Sequence, residues 1–273
     1  MSARSIAVAN QKGGVGKTTT AVNVAACLAE RGKRTLLIDL DPQANATSAL
    51  GLEKLEGGSV YQALLGSAKL ADAIRPSGYD HLDIIPSEVD LAVAEVDVAR
   101  TENYLQRLRV ALAPVHDANR FDFILVDCPP SLGILTMNAL AAVDRVLVPL
   151  QCEYFSLEGL AVIMRVIQQI RDSGANPTLE LLGIVMTMFD GRTNLSQQVV
   201  NEVRGHFAEK TFKTIIPRTV RLGEAPSFGK PITAYDGSSY AAAVYRSLTE
   251  ELLARTAPTQ APATGAPSTP AVA

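Results

Sequence analysis

The segment Lys12-Gly13-Gly14-Val15-Gly16-Lys17-Thr18-Thr19 stands between an apolar run, Ser5–Ala9, and a helical stretch, Thr18–Arg31, that stops at Gly32. This feature constrains the chain more than any other, because a strand that turns through glycines into a helix is the opening unit of an α/β sheet. Glycines let the backbone curl so that successive N–H groups point inward at phosphate oxygens. The helix N-terminus adds its partial positive charge. In such a loop Lys17 is placed to reach the β- and γ-phosphates of a nucleotide, and the Thr18 hydroxyl to bind Mg²⁺.

The rest of the chain repeats the pattern. Strand-like runs with little polar alternation occur at Arg34–Leu40, Phe121–Cys128, Arg145–Leu150, Leu181–Met188 and Thr214–Ile216, and Leu82–Ile85 adds another. Continuous apolar strands are buried on both faces, as in a parallel sheet covered by helices. Helical stretches are expected at Glu88–Leu112 and Leu157–Arg171. The expected fold is therefore α/β: a doubly wound, mostly parallel sheet flanked by helices, in one domain over residues 1–255. From Thr256 to Ala273 there is no charge and four prolines punctuate an Ala/Thr/Ser background, so this tail is expected to be disordered.

Composition narrows the function classes. Of 273 residues, 47% are apolar and 19% charged, ordinary values for a chain with a real core. No apolar run reaches the roughly 18 residues that a membrane span needs, and Ile6–Ala9 is too short for a signal-peptide core. A cytoplasmic location is expected. Cys27, Cys128 and Cys152 lie far apart without CxxC spacing and read as small buried hydrophobes.

The general phosphate-loop pattern GxxxxGK[ST] requires Gly at position 11, where this chain has Gln11 followed by an extra lysine, Lys12. The loop thereby resembles the deviant Walker A motif of the ParA/MinD superfamily. The resemblance implies that Lys12 reaches across a homodimer interface to the nucleotide of the partner subunit. Asp39–Leu50, DLDPQANATSAL, resembles the switch I region of that family. By that resemblance Asp41 orients the attacking water and Asp39 supports the Mg²⁺ shell. A turn-capping role before Pro42 is the alternative for Asp39. Carboxylates at the C-terminal end of a parallel strand stand where ligands bind in such sheets. The run Phe123–Asp127 is an apolar strand ending in a carboxylate, the Walker B arrangement, in which Asp127 holds Mg²⁺ directly or through water.

Three further segments, beginning at Gln151, Thr187 and Ile216, are similar to the ParA/Soj branch, so the resemblance covers residues 5 to about 253. It implies that Pro217 and Arg218 pack against adenine, that ATP and Mg²⁺ are the cofactors, and that Arg192 and Arg221 contact DNA. Between Arg204 and Lys230 six Lys/Arg face two acids, an excess of four positive charges inside a chain of net charge −3. Such a patch can neutralise phosphates, and binding through it should be independent of sequence and sensitive to salt. The implied activity is an ATPase that dimerises with ATP, coats non-specific DNA on the nucleoid and is released by a ParB-like partner. The cargo is a chromosome, a plasmid or, alternatively, a protein assembly. A membrane-bound relative of the MinD type would need an amphipathic C-terminal helix, and the uncharged, proline-broken tail has neither face. No membrane partner is expected.

Overall fold

The computed structural model describes residues 3–53, 59–154 and 156–257. Eight strands form one sheet: β1 (Arg4–Val8), β2 (Thr35–Asp39), β3 (Arg75–Tyr79), β4 (Leu82–Ile85), β5 (Phe123–Asp127), β6 (Arg145–Gln151), β7 (Glu180–Phe189) and β8 (Thr211–Pro217). Their order is β3-β4-β2-β5-β1-β6-β7-β8. Every neighbouring pair is parallel except β3 with β4.

All seven apolar runs of the sequence are strands of this sheet. The eighth strand, β3, carries no apolar run; its sequence is Arg-Pro-Ser-Gly-Tyr. It pairs antiparallel at the sheet edge, where a proline without an N–H is tolerated.

Eleven helices cover the sheet among the described residues: α1 (Lys17–Glu30), α2 (Asn45–Ala49), α3 (Val60–Leu65), α4 (Leu91–Ala99), α5 (Arg107–Asp117), α6 (Ile134–Ala142), α7 (Ser156–Asp172), α8 (Asn194–Phe207), α9 (Val220–Glu224), α10 (Ile232–Tyr235) and α11 (Tyr240–Thr256). Alternate strand residues face two separate cores. Ala7, Leu36, Ile38, Ile124, Val126, Val146 and Val148 pack under α3 to α8. Ile6, Val8, Leu37, Leu125, Leu147 and Val185 pack under α1, α10 and α11. Burial on both faces is why the strands read as unbroken apolar runs rather than alternating ones.

The expected helix over Glu88–Leu112 is corrected to two helices. α4 ends at Ala99, Asn103 takes a left-handed conformation at φ 53°, and a single 3-10 turn at Tyr104–Gln106 leads into α5. The buried Asn138 side chain of α6 holds the break. Its Oδ1 accepts from Leu108 N at 3.1 Å, and its Nδ2 donates to Tyr104 O at 2.8 Å. One amide thus satisfies an otherwise unpaired N–H in the first turn of α5 and fixes the turn before it. At the other end, α11 runs through Thr256, which is buried. The tail expected to be disordered lies, from residue 258 onward, outside the described residues.

Candidate functional site

The glycine loop leaves the C-terminal end of β1 and enters α1, at the edge where all the parallel strands end. Gly14 and Gly16 adopt φ of 72° and 85°, which side-chain-bearing residues rarely reach. Two side chains tie the loop to neighbouring strands. Asn10 Nδ2 donates to Pro149 O at 2.7 Å while its Oδ1 accepts from Lys12 N at 3.1 Å. On the far side Thr187 Oγ1, from β7, donates to Val15 O at 2.9 Å. The loop is therefore held in its curled form by β6 and β7.

The two lysines have opposite environments. Lys17 is buried, and its Nζ donates to Lys12 O at 2.9 Å. Burial pulls its ammonium pKa below the usual lysine range, against the opposing pull of Asp127, Cys128 and Asp41. Lys12 instead turns outward. Its Nζ pairs with Glu153 at 2.8 Å, with side chains 39% and 48% exposed, and Gln151 Nε2 donates to the other oxygen of Glu153 at 2.6 Å. An ion pair this open stabilises by about 1 kcal/mol or less and can be exchanged.

Three carboxylates close the site. Asp39 and Asp127 are register partners across β2 and β5. Asp127 is fully buried, and neither of its oxygens makes a hydrogen bond of good geometry. Burial raises its pKa well above the usual carboxylate range; Asp39 pushes the same way, and the nearby Thr18 hydroxyl favours the charged form. A buried carboxylate without a partner is costly, so a cation beside Thr18 fits what the residues require. Among the described residues no cluster of three or more His, Cys, Asp and Glu side chains could hold a metal. One carboxylate and one hydroxyl suit Mg²⁺, which takes its other ligands from phosphate and water.

Asp39 works differently. Its Oδ2 accepts from Thr47 N at 2.8 Å and Thr47 Oγ1 at 2.7 Å, and its Oδ1 accepts from Asp41 N at 3.2 Å. Burial pushes its carboxyl up to about 6, with these hydrogen bonds opposing the shift. The side chain thus shapes the segment that carries Asp41. Asp41 is itself buried, its Oδ1 accepts from Gln43 N at 3.0 Å, and its carbonyl accepts from Ser87 Oγ at 2.6 Å. Ala44, at the end of this turn, is left-handed at φ 52°, which costs about 1 kcal/mol for a residue with a Cβ.

A cleft of about 230 Å³ adjoins the loop, lined by Gly16 and Thr19, by Met188, and by Pro217, Arg218, Leu222 and Tyr245. The structure thus brings Pro217 and Arg218 to the loop, as a base-binding site would require. Met188 sits left-handed at φ 52° on its wall. A second cleft, of about 290 Å³, lies on the other side of Thr19 between α1, α2 and Lys230. Arg192 and Arg221 follow the ends of β7 and β8, where Phe189 and Pro217 are in register. They are therefore on the same edge of the sheet as the loop. Arg192 pairs with Asp190 at 2.7 Å with its side chain 88% exposed, and Arg221 lies 3.2 Å from Glu224 and 3.5 Å from Asp236. Arg192, with Arg218 adding to its field, holds the Asp190 carboxyl well below the usual range.

The sequence did not single out Ser87, Thr187, Asn10 or Glu153. No motif marks Ser87, whereas Thr187 and Glu153 stand inside segments already similar to the ParA/Soj branch.

Residues 3–181 match the AAA domain family AAA_31. The chain is 50% identical over 256 residues to the chromosome partitioning protein ParA of Myxococcus xanthus, covering 93% of this chain and 89% of that one. It is 49% identical over 250 residues to the sporulation initiation inhibitor protein Soj of Bacillus subtilis, covering 91% and 98%. Among solved structures, cobyrinic acid a,c-diamide synthase from Mycobacterium smegmatis with a bound ATP analogue and magnesium superposes with a TM-score of 0.79 at 37% identity, covering 92% of this chain and 94% of that one. No described helix is long and apolar enough to cross a membrane. With its phosphate loop, its paired aspartates and these relatives, the chain belongs to the ParA/Soj family of chromosome-partitioning ATPases.

Proposed function

We propose that this chain is an ATP-dependent dimerising switch that binds DNA without sequence preference and moves a chromosome or plasmid with a ParB-like partner. One observation carries the reading. Lys12 belongs to the phosphate loop, yet its ammonium is turned away from that loop and held at the surface by Glu153. A loop lysine in that position serves a nucleotide only if a second subunit presents one, and exchange of a weak exposed pair is an inexpensive way to let it go.

Within one subunit the loop N–H groups and Lys17 bind the triphosphate, and Pro217 and Arg218 hold the base. Mg²⁺, held by Thr18 and Asp127, offsets charge on the transferring phosphoryl group. Asp39 keeps the Asp41 segment in shape and so supports the metal shell from a distance, while Asp41 aligns the attacking water. Lys12 of the second copy completes the charge around the phosphates. Arg192 and Arg221 meet DNA phosphates, and pairing two subunits doubles that surface, which would keep the ATP-bound dimer on the nucleoid. Mobility-shift assays on random-sequence duplex test the switch: tight binding is expected with Mg-ATP and weak binding with ADP or no nucleotide. Equal binding in all three conditions would contradict it.

A further inference from the structure

Helix α4 carries a surface that neither the nucleotide site nor the two arginines use. Its inner residues Leu91, Ala94 and Val98 are buried in the core. On the outside Val89, Val93 and Val96 are 67%, 51% and 52% exposed. Their spacing sets them in one row along the helix and the turn before it. Asp90, Glu95 and Glu102 are exposed around the row, and Arg100 is the one basic residue from Val89 to Glu102.

The row is wired to the site at two points. Ser87, just before it, donates its hydroxyl to Asp41 O at 2.6 Å and its N–H to Thr47 Oγ1 at 3.0 Å. Farther along, the Glu95 carboxylate lies against Gly133, in the segment that links Asp127 to α6, and fills the space a Cβ there would need.

Charge decides among the occupants. DNA is repelled by the acids. Pairing of the row with itself about a two-fold axis would set acids against acids. Residues 258–273 of this chain carry no charge and cannot answer the acids. We propose that α4 docks a basic, amphipathic segment of a partner protein. Its apolar side rests on Val89, Val93 and Val96, its lysines and arginines lie over Asp90, Glu95 and Glu102, and docking acts on Asp41 through Ser87. The effect on turnover rests on the ATPase reading above; the docking itself does not.

The test uses the full chain with Mg-ATP and a fluorescent synthetic peptide of about 20 residues, leucines on one helical face and lysines on the other. Two control peptides are a scramble that destroys the face and a version with Glu for every Lys. Two double variants, Val93→Ser with Val96→Ser and Asp90→Lys with Glu102→Lys, are checked for folding by circular dichroism. Wild type is expected to bind the amphipathic basic peptide at least about tenfold more tightly than either control, and each variant to lose about tenfold. The peptide should change kcat of the wild type and not of the variants, whose basal turnover and ATP-dependent DNA binding stay unchanged. Equal binding of the scramble, equal binding by the variants, or binding without any change in wild-type kcat would overturn the proposal. Loss of ATP-dependent dimerisation in the folded variants would overturn it too, by assigning the row to a second copy. A wild type that binds the peptide but never turns over ATP would instead refute the ATPase reading and leave docking standing.

Discussion

Lys17 and Asp41 are both buried beside Asp127, but they stand on different parts of the reaction. Lys17 reaches into the loop interior, donating to the Lys12 carbonyl where a phosphate oxygen is a better acceptor. Its substitution Lys17→Ala should weaken ATP binding by about 100-fold or more, read by fluorescent-nucleotide titration. Asp41 is held by its own turn and by Ser87, away from the loop backbone. Asp41→Ala should keep ATP affinity and lower turnover by about 100-fold or more. If Asp41→Ala hydrolysed at the wild-type rate, another group would be aligning the water. At this scale the sequence was legible where chemistry is local. The loop, Asp39, Asp41 and Asp127 each show in a short window, because glycine, lysine and a strand-terminal carboxylate have few other reasons to occur in that order. Glu153, Ser87 and Thr187 did not show, since each acts on a residue 141, 46 and 172 positions away. No local pattern records such a long-range partnership.

The central strands were legible because both faces of the sheet are buried, which leaves long apolar runs. β3 was not, because an antiparallel edge strand can hold a proline and a glycine and expose alternate residues. The break between α4 and α5 was also hidden. It depends on Asn138, a residue of another helix, rather than on a proline or glycine at the break. Gly183 marks a third such place. A Cβ there would stand 2.6 Å from Lys210 O and 2.6 Å from Phe212 Cε2, next to the register shift where β6 pairs with β7. Gly183→Ala should therefore destabilise the fold by about 1–3 kcal/mol, with Tm falling roughly 2–4 °C per kcal/mol. Thermal melting by circular dichroism checks this, and an unchanged Tm would mean that β7 and β8 have slack which the packing does not show.

For the molecule as a whole, charge and symmetry matter more than any single pair of residues. The chain is acidic overall, with net charge −3, yet Arg192 and Arg221 emerge at one edge, each already facing an acid that can be exchanged for phosphate. Replacing both with alanine should weaken DNA binding and flatten its dependence on salt by about one unit of log–log slope for each phosphate left without its arginine. ATP turnover without DNA should be unchanged. Full retention of DNA affinity would move the DNA surface elsewhere, the Arg204–Lys230 segment being the next place to look.

The same edge carries Lys12, and the central claim is that ATP decides whether this protein is one subunit or two. Sedimentation of Lys12→Ala beside the wild type in saturating Mg-ATP, with ATP affinity measured on the same samples, tests it most directly. The account predicts a wild-type dimer and a Lys12→Ala monomer that keeps most of its ATP affinity. A Lys12→Ala protein that dimerises and turns over ATP like the wild type would contradict it.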